Sequence, residues 1–139
     1  MPTLSSALST HPARRSADHS VVTETIALLD ECAQICTTCA DACLYEEETD
    51  RLATCIRLDL DCADICATAV RMLCRAPAKD LSYVAAMLDL VRLACRRSAE
   101  ECAQHADKYE HCKVCAEAAI ACERACGAFI ESMRIPAAA

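Results

Sequence analysis

From Val22 onward, apolar positions recur at steps of three and four along nearly the whole chain. That is the spacing of one face of an α-helix. In the first such segment the face reads Val22, Thr25 and Leu29, and then Cys32, Cys36, Cys39 and Cys43. A seam that begins aliphatic turns into a row of thiols. The pattern predicts a first helix from about Ser20, an N-cap with Glu24 close behind, to about Glu47. Residues 46–50 read as a polar turn in which Thr49 or Asp50 caps the next helix. The second helix spans about Asp50 to Cys74, with Leu52, Cys55, Asp59, Cys62, Cys66, Ala69 and Leu73 on its seam. Arg71 and Arg75 suit its C-terminal dipole, and Pro77 stops it. The third helix starts near Asp80, a good cap, and its seam is Leu81, Val84, Leu88, Val91, Cys95, Ser98, Cys102 and His105. After a break at Asp107–Tyr109 the fourth carries Cys112, Cys115, Ala119, Cys122, Cys126, Phe129 and Met133.

Four helices with short connections predict an all-α fold, an antiparallel up-down-up-down four-helix bundle with a Cys-lined core over residues 20–134. Each helix of about 25 residues is roughly 38 Å long at 1.5 Å per residue. Residues 1–19, with Pro2 and Pro12, are expected to be a mobile N-terminal tail with room for one short helical turn. Residues 135–139 form a frayed C-terminal tail. The topology assigns heights. Glu47, Asp50, His105 and Cys112 share one end, the top, and Val22, Leu81 and Met133 share the other. Thiols then fill the upper and middle core, above an aliphatic plug.

Composition agrees with helices and changes the chemistry. Of 139 residues, only 3% are aromatic and one is Gly, so the core is built from small side chains. A net charge of −7 argues against nucleic acid as a partner. Fourteen cysteines in a short secreted chain would suggest a disulfide scaffold. Such scaffolds are loop-rich with irregular Cys spacing, whereas these cysteines follow helical periods. Arg14-Arg15 is followed by no apolar run or cleavage site, so no export signal is read. No stretch is apolar for long enough to span a membrane. The expected compartment is the cytosol, with thiols reduced.

Cys serves as a small core hydrophobe in ones and twos, not in fourteens. The i,i+4 pairs Cys32/Cys36, Cys39/Cys43, Cys62/Cys66 and Cys122/Cys126 place Cβ atoms about 5–6 Å apart, within reach of one ion. Cys36/Cys39 and Cys112/Cys115 do the same at i,i+3. Soft thiolates favour Cu(I), zinc and iron–sulfur clusters. Zinc prefers closed four-ligand sites, into which a continuous thiol column is not expected to divide. Cu(I) accepts low coordination numbers and bridging sulfur, giving roughly one ion per Cys. Exchanging S–H for S–Cu(I) also leaves an apolar core without added charge. Zinc buffering and an iron–sulfur or thiol redox role remain the alternatives. Cys36-x2-Cys39-x3-Cys43 has a ferredoxin-like spacing, but within a helical seam rather than a loop. A thioredoxin-like Cys-x-x-Cys needs an α/β context that is not visible, and no catalytic arrangement is suggested.

Taken together, Cys32-x3-Cys36-x2-Cys39-x3-Cys43, Cys55-Ile-Arg-Leu-Asp59-x2-Cys62-Ala-Asp-Ile-Cys66, His111-Cys112-x2-Cys115 and Cys122-x3-Cys126 resemble the bacterial copper storage proteins, in particular their cytosolic, non-exported branch. The resemblance covers about residues 20–134. It implies non-catalytic, high-capacity Cu(I) storage, with multiple ions per chain, in a bundle that associates as a homotetramer. A copper chaperone or small-thiol donor is the implied partner beyond copper itself. It also implies metal entry at one open bundle end, lined by His and other non-Cys ligands. This chain departs in having only Cys95 and Cys102 on the third helix, with Ser98 between them. His105, continuing that seam to the top, is read as a mouth ligand. His111, one position off the fourth seam, is equally a surface residue. Asp59 either binds metal near the mouth or, the slightly favoured alternative, pairs with Arg57 or Arg92. Cys74, one step off the seam near the bottom, is the most marginal candidate ligand.

Overall fold

The computed structural model describes residues 1–13, 19–75 and 81–134. It is all-helical, with no strand among the described residues. A short helix α1 (Leu4–Thr10) is capped by Thr3, whose hydroxyl accepts from the Ser6 N–H at 3.0 Å. Its Leu8 is buried and it contacts the next helix, α2 (Ser20–Cys43). A 3-10 turn (Thr49–Leu52) leads into α3 (Ala53–Cys74), followed by α4 (Ser82–His105) and α5 (Glu110–Arg134). The four long helices contact one another in a ring: α2 meets α3 and α5, and α4 meets α3 and α5. No helix among the described residues is long and apolar enough to cross a membrane.

Helix ends depart from the sequence expectation for local reasons. The first long helix stops at Cys43, not near Glu47, because its chain tightens into turns in which Leu44 N–H donates to Asp41 and Tyr45 N–H to Ala42. Thr49 then donates to the carbonyls of Cys43 (3.1 Å) and Glu46 (2.6 Å). Its hydroxyl thus satisfies carbonyls left open at the end of α2 instead of capping α3, which enters through the 3-10 turn with Leu52 buried. Ser20 is the first residue of α2 rather than its N-cap, which is His19. Asp80 and Pro77, expected to frame the start of the third long helix and the end of the second, lie outside the described residues, as does the 135–139 tail. At its far end the α5 seam passes to Ile130, which is 1% exposed, while Phe129 and Met133 are partly buried. A 3.6-residue turn drifts by about 20° per heptad against a strict seven-residue repeat, so toward the end of α5 the inward direction falls between adjacent positions and the neighbouring residue takes it.

The end away from the 43–52 turn is closed by Ile26 and Leu29 of α2, Leu73 of α3, Val84 and Leu88 of α4 and Ile130 of α5, all buried. Burial of such side chains contributes about 1.5–3 kcal/mol each, which gives the chain an apolar core independent of any metal. The metal-free protein is therefore expected to be helical and to unfold cooperatively, which circular dichroism with a denaturant series checks. Leu88→Ala, at 1% exposure, is expected to lower its unfolding free energy by about 2–5 kcal/mol.

Candidate metal centre

Each long helix sends its thiols inward because its three/four seam faces the centre of the ring. Thirteen of the fourteen cysteines are buried, all fourteen are free thiols, and Cys74 alone is half-buried. The cross-helix pairs run in a consistent order. Cys55 Sγ lies 3.4 Å from Cys102 Sγ, and one to two turns further along α3, Cys62 lies 3.8 Å from Cys95. Between α2 and α5, Cys39 lies 4.0 Å from Cys112, and Cys36 lies 3.6 Å from Cys115. Within single helices, Cys32/Cys36 and Cys62/Cys66 are each 3.9 Å apart.

These contacts form a column with distinguishable levels. Highest are Cys39, Cys43, His111 and Cys112, with ligand atoms all within 4.8 Å of one another. Below them two overlapping groups, Cys39/Asp59/Cys102/Cys115 and Cys39/Cys43/Cys55/Asp59, meet the same limit. Deeper still are Cys32/Cys36/Cys62 and then Cys32/Cys66/Cys95/Cys122. Cys126, one turn after Cys122 on α5, is also buried. Cys74 belongs to none of these groups.

Asp59 is the one carboxylate in the column, at 0% exposure. The expected ion pair is not formed: Arg57 is exposed, and Arg92 pairs with Asp89 at 3.4 Å. A seam position cannot reach outward to an arginine on the helix exterior. Ser98 instead donates to Asp59 Oδ1 at 3.0 Å, and Cys102 and Cys115 donate to the same oxygen at 3.3 Å. Burial, with the Cys102 sulfur beside it, pushes the carboxyl up to about 7. From sequence alone Ser98 was only a missing thiol. Its role as partner to Asp59 depends on two seam positions 39 residues apart meeting at one height.

The two histidines part company. His111 Nδ1 lies 3.3 Å from Cys39 Sγ and 3.6 Å from Cys112 Sγ, so it joins the thiols despite its off-seam position. Its ring stacks on Tyr109 at 5.7 Å between centroids, and its Nε2 lies 4.0 Å from Glu46. His105 Nε2 lies 3.2 Å from Glu101 and is in none of the ligand groups. His111 sits in the first turn of α5, where the ring can fold back over the end of the core. His105 is the last residue of α4 and finds a carboxylate one turn behind it.

Burial also raises the thiols next to the mouth. Cys112 is pushed up to about 12, and Cys43 is raised as well. Burial thus favours neutral S–H groups, apolar enough to pack, at this end of the empty core. Loading it means exchanging protons for soft cations.

The chain belongs to the copper storage protein family, whose model matches residues 18–131. It is 40% identical to the copper storage protein Ccsp of Streptomyces lividans, solved with 10 copper equivalents, at a TM-score of 0.88 over 93% of this chain and 98% of that one. A structure of the cytosolic copper storage protein from Streptomyces lividans with five coppers is 41% identical, with a TM-score of 0.79 over 81% of this chain and 94% of that one. The cysteine-rich protein YhjQ of Bacillus subtilis is 35% identical over 96 residues, 69% of this chain and 83% of that protein.

The buried carboxyl sets a pH dependence in the metal-free protein. Between about 3.9, the ordinary Asp value, and about 7, the unfolded chain gives up the Asp59 proton while the folded chain keeps it. The contribution of Asp59 is thus fully present below that window, is lost as pH rises through it, and is flat above. Three pKa units correspond to on the order of 4 kcal/mol. Denaturant titrations from pH 4 to 8 are expected to show this decline in the parent and to lack it in Asp59→Asn.

Proposed function

We propose that this protein is a cytosolic, high-capacity Cu(I) store. In this reading α2–α5 run alternately up and down as an antiparallel bundle over residues 20–134, and its Cys-lined core is the container. The observation that carries the proposal is the continuity of the column. Six sulfur pairs lie 3.4–4.0 Å apart, from Cys39/Cys112 at one end to Cys62/Cys66 and Cys62/Cys95 deep inside, and the ligand groups along the column keep their atoms within 4.8 Å. Cys39 links the three upper groups and Cys32 the two lower ones, and Cys36, 3.6 Å from Cys115, joins the two sets. A thiolate can bridge two Cu(I) ions, so linked groups load as a cluster, several ions to a chain. The copper-bearing Streptomyces lividans protein, described as cytosolic, supports the choice of metal and compartment.

The ligands in this reading are Cys32, Cys36, Cys39, Cys43, Cys55, Cys62, Cys66, Cys95, Cys102, Cys112, Cys115, Cys122 and Cys126. His111 acts as the acceptor at the mouth. Asp59 sits where entering metal meets the first full ring of thiols, and its carboxyl takes or yields a proton as neighbouring thiols are metallated. His105 and Cys74 are peripheral, His105 flanking the mouth and Cys74 the aliphatic end. Entry is from the top, because the opposite end is closed by Leu29, Leu88 and Ile130. Glu46, Glu48 and Glu101 lie around the mouth and favour an arriving cation. The role is storage rather than catalysis. A copper chaperone or small-thiol complex is the donor, and the assembly is a homotetramer, for which exposed Leu90, Leu93 and Ile120 offer apolar surface.

Anaerobic Cu(I) titration against a competing chelator tests the store. Tight binding of many equivalents per chain is expected, with release of about one proton per thiol metallated and weaker apparent affinity as pH falls. Saturation at one or two equivalents would refute the storage reading. His111→Ala is expected to slow uptake from a Cu(I) donor several-fold while leaving final capacity nearly unchanged, and His105→Ala to change uptake little. Stopped-flow transfer followed by titration of the same sample separates rate from capacity.

A further inference from the structure

Among the described residues, the deepest ligand group is the four-membered one built of thiols alone. Cys32, Cys66, Cys95 and Cys122 come one from each long helix, α2, α3, α4 and α5, and all four are fully buried. Their four sulfurs lie within 4.8 Å of one another. A tetrahedral ion with metal–sulfur bonds of about 2.3 Å needs sulfurs about 3.8 Å apart, so each moves inward by at most about 0.6 Å. The tetrad is also the most self-contained group. Only Cys32 is shared with another, whereas Cys39 belongs to three overlapping sets. A thiol column is expected from its sequence to contain no closed four-sulfur site, and this one does.

We propose that in the copper-free protein Cys32, Cys66, Cys95 and Cys122 form a discrete tetrahedral site for one divalent, thiophilic ion of the zinc class. Four thiols lose their protons to the solvent and four metal–sulfur bonds form, with no change of oxidation state. The resulting centre carries two negative charges in a core whose backbone N–H groups are already used by the helices. Neighbouring thiols supply the missing donors. Cys36 lies 3.9 Å from Cys32, and Cys62 lies 3.9 Å from Cys66 and 3.8 Å from Cys95. Three of the four tetrad sulfurs therefore have an S–H neighbour outside the tetrad, Cys62 serving both Cys66 and Cys95, the role that outer hydrogen-bond donors play around metal-bound thiolates. Cys126, also buried, follows one turn after Cys122 on α5. The other four-ligand sets are less suited: in Cys39/Cys43/His111/Cys112 the half-buried His111 adjoins Cys112 in the chain, and Cys39/Asp59/Cys102/Cys115 and Cys39/Cys43/Cys55/Asp59 each replace one thiol with the Asp59 carboxyl. Copper, the softer guest, displaces the divalent ion when the store fills.

Cobalt(II) serves as the probe, added anaerobically to reduced, copper-free, full-length protein. One equivalent is expected to give the intense visible absorption of tetrahedral thiolate-bound cobalt, and one equivalent of zinc to abolish it. Cys95→Ser and Cys122→Ser are expected to remove or strongly weaken that spectrum, while Cys39→Ser and Cys43→Ser preserve it. Circular dichroism on each variant shows whether the helices remain, and native mass spectrometry of the parent counts one zinc per chain. Absence of a tetrahedral cobalt spectrum in the parent would overturn the proposal. So would a spectrum that survives both tetrad substitutions, or one lost only in the Cys39 and Cys43 variants, which would place the ion at the mouth. Copper capacity, measured separately on the same preparations, tests the storage reading and does not depend on this result.

Discussion

A helix uses its own backbone donors and acceptors, so nothing in the interior of a bundle is left to solvate a polar side chain. Whatever occupies the seam must be apolar while the core is empty and still able to bind when it fills. A thiol meets both demands, and among side chains it is the small one that does. Burial favours the protonated form of Cys43 and Cys112, so that end of the empty column holds neutral thiols. The same constraint explains the surroundings of Asp59. A carboxylate at 0% exposure is tolerable only when protonated or closely hydrogen bonded, and Ser98, Cys102 and Cys115 all converge on one of its oxygens.

The constraint also divides labour along the bundle. Small thiols fill less volume than leucine, and a core made of them alone would pack few contacts per residue. Leu29, Leu73, Val84, Leu88, Val91 and Ile130 concentrate aliphatic burial at one end, so the fold does not have to be assembled by metal. The polar end can then stay specialised. There α2 stops at Cys43 and α5 begins at Glu110, and the uncovered top of the column receives His111 from the first turn of α5. Tyr109 against its ring and Glu46 beside its Nε2 limit how that imidazole can turn. The Lys108–Glu48 pair at 2.9 Å ties the two chain segments of this end together.

The seams were legible because period alone determines them. Every seam position read from the second helix, from Leu52 to Leu73, is buried. What period cannot supply is relative height across helices. The partnership of Ser98 with Asp59 needs the register of α3 against α4, and without it Arg57 or Arg92 looked the better partner. Local turn geometry likewise separates the surroundings of His105 and His111. Seam membership favoured His105, but beyond the last turn a side chain follows the local turn geometry, and His105 turned to Glu101 at 3.2 Å. The capping expectations failed at Thr49, whose hydroxyl closes the helix behind it rather than the one ahead.

In the proposed store, connectivity within the column, more than the number of thiols, would govern how a metal ion moves through it. An ion passed from His111 to Cys39 remains within reach of Cys112, Cys43, Cys55, Cys102 and Cys115, because Cys39 is common to the three upper groups. Each step exchanges one sulfur for another while a shared one stays bound, so no step requires a bare cation in a low-dielectric core. Cys36, 3.6 Å from Cys115 and 3.9 Å from Cys32, carries the path from the upper groups to the lower ones. The lower tetrad has only Cys32 in common with its neighbours. An ion reaching it has many sulfurs around it and few routes onward, toward a floor of Leu29 and Leu88 that offers no ligand at all. Filling from such a closed end upward places the best-enclosed sulfurs first in use and leaves the His111 end free to exchange, an order that follows from where shared sulfurs lie.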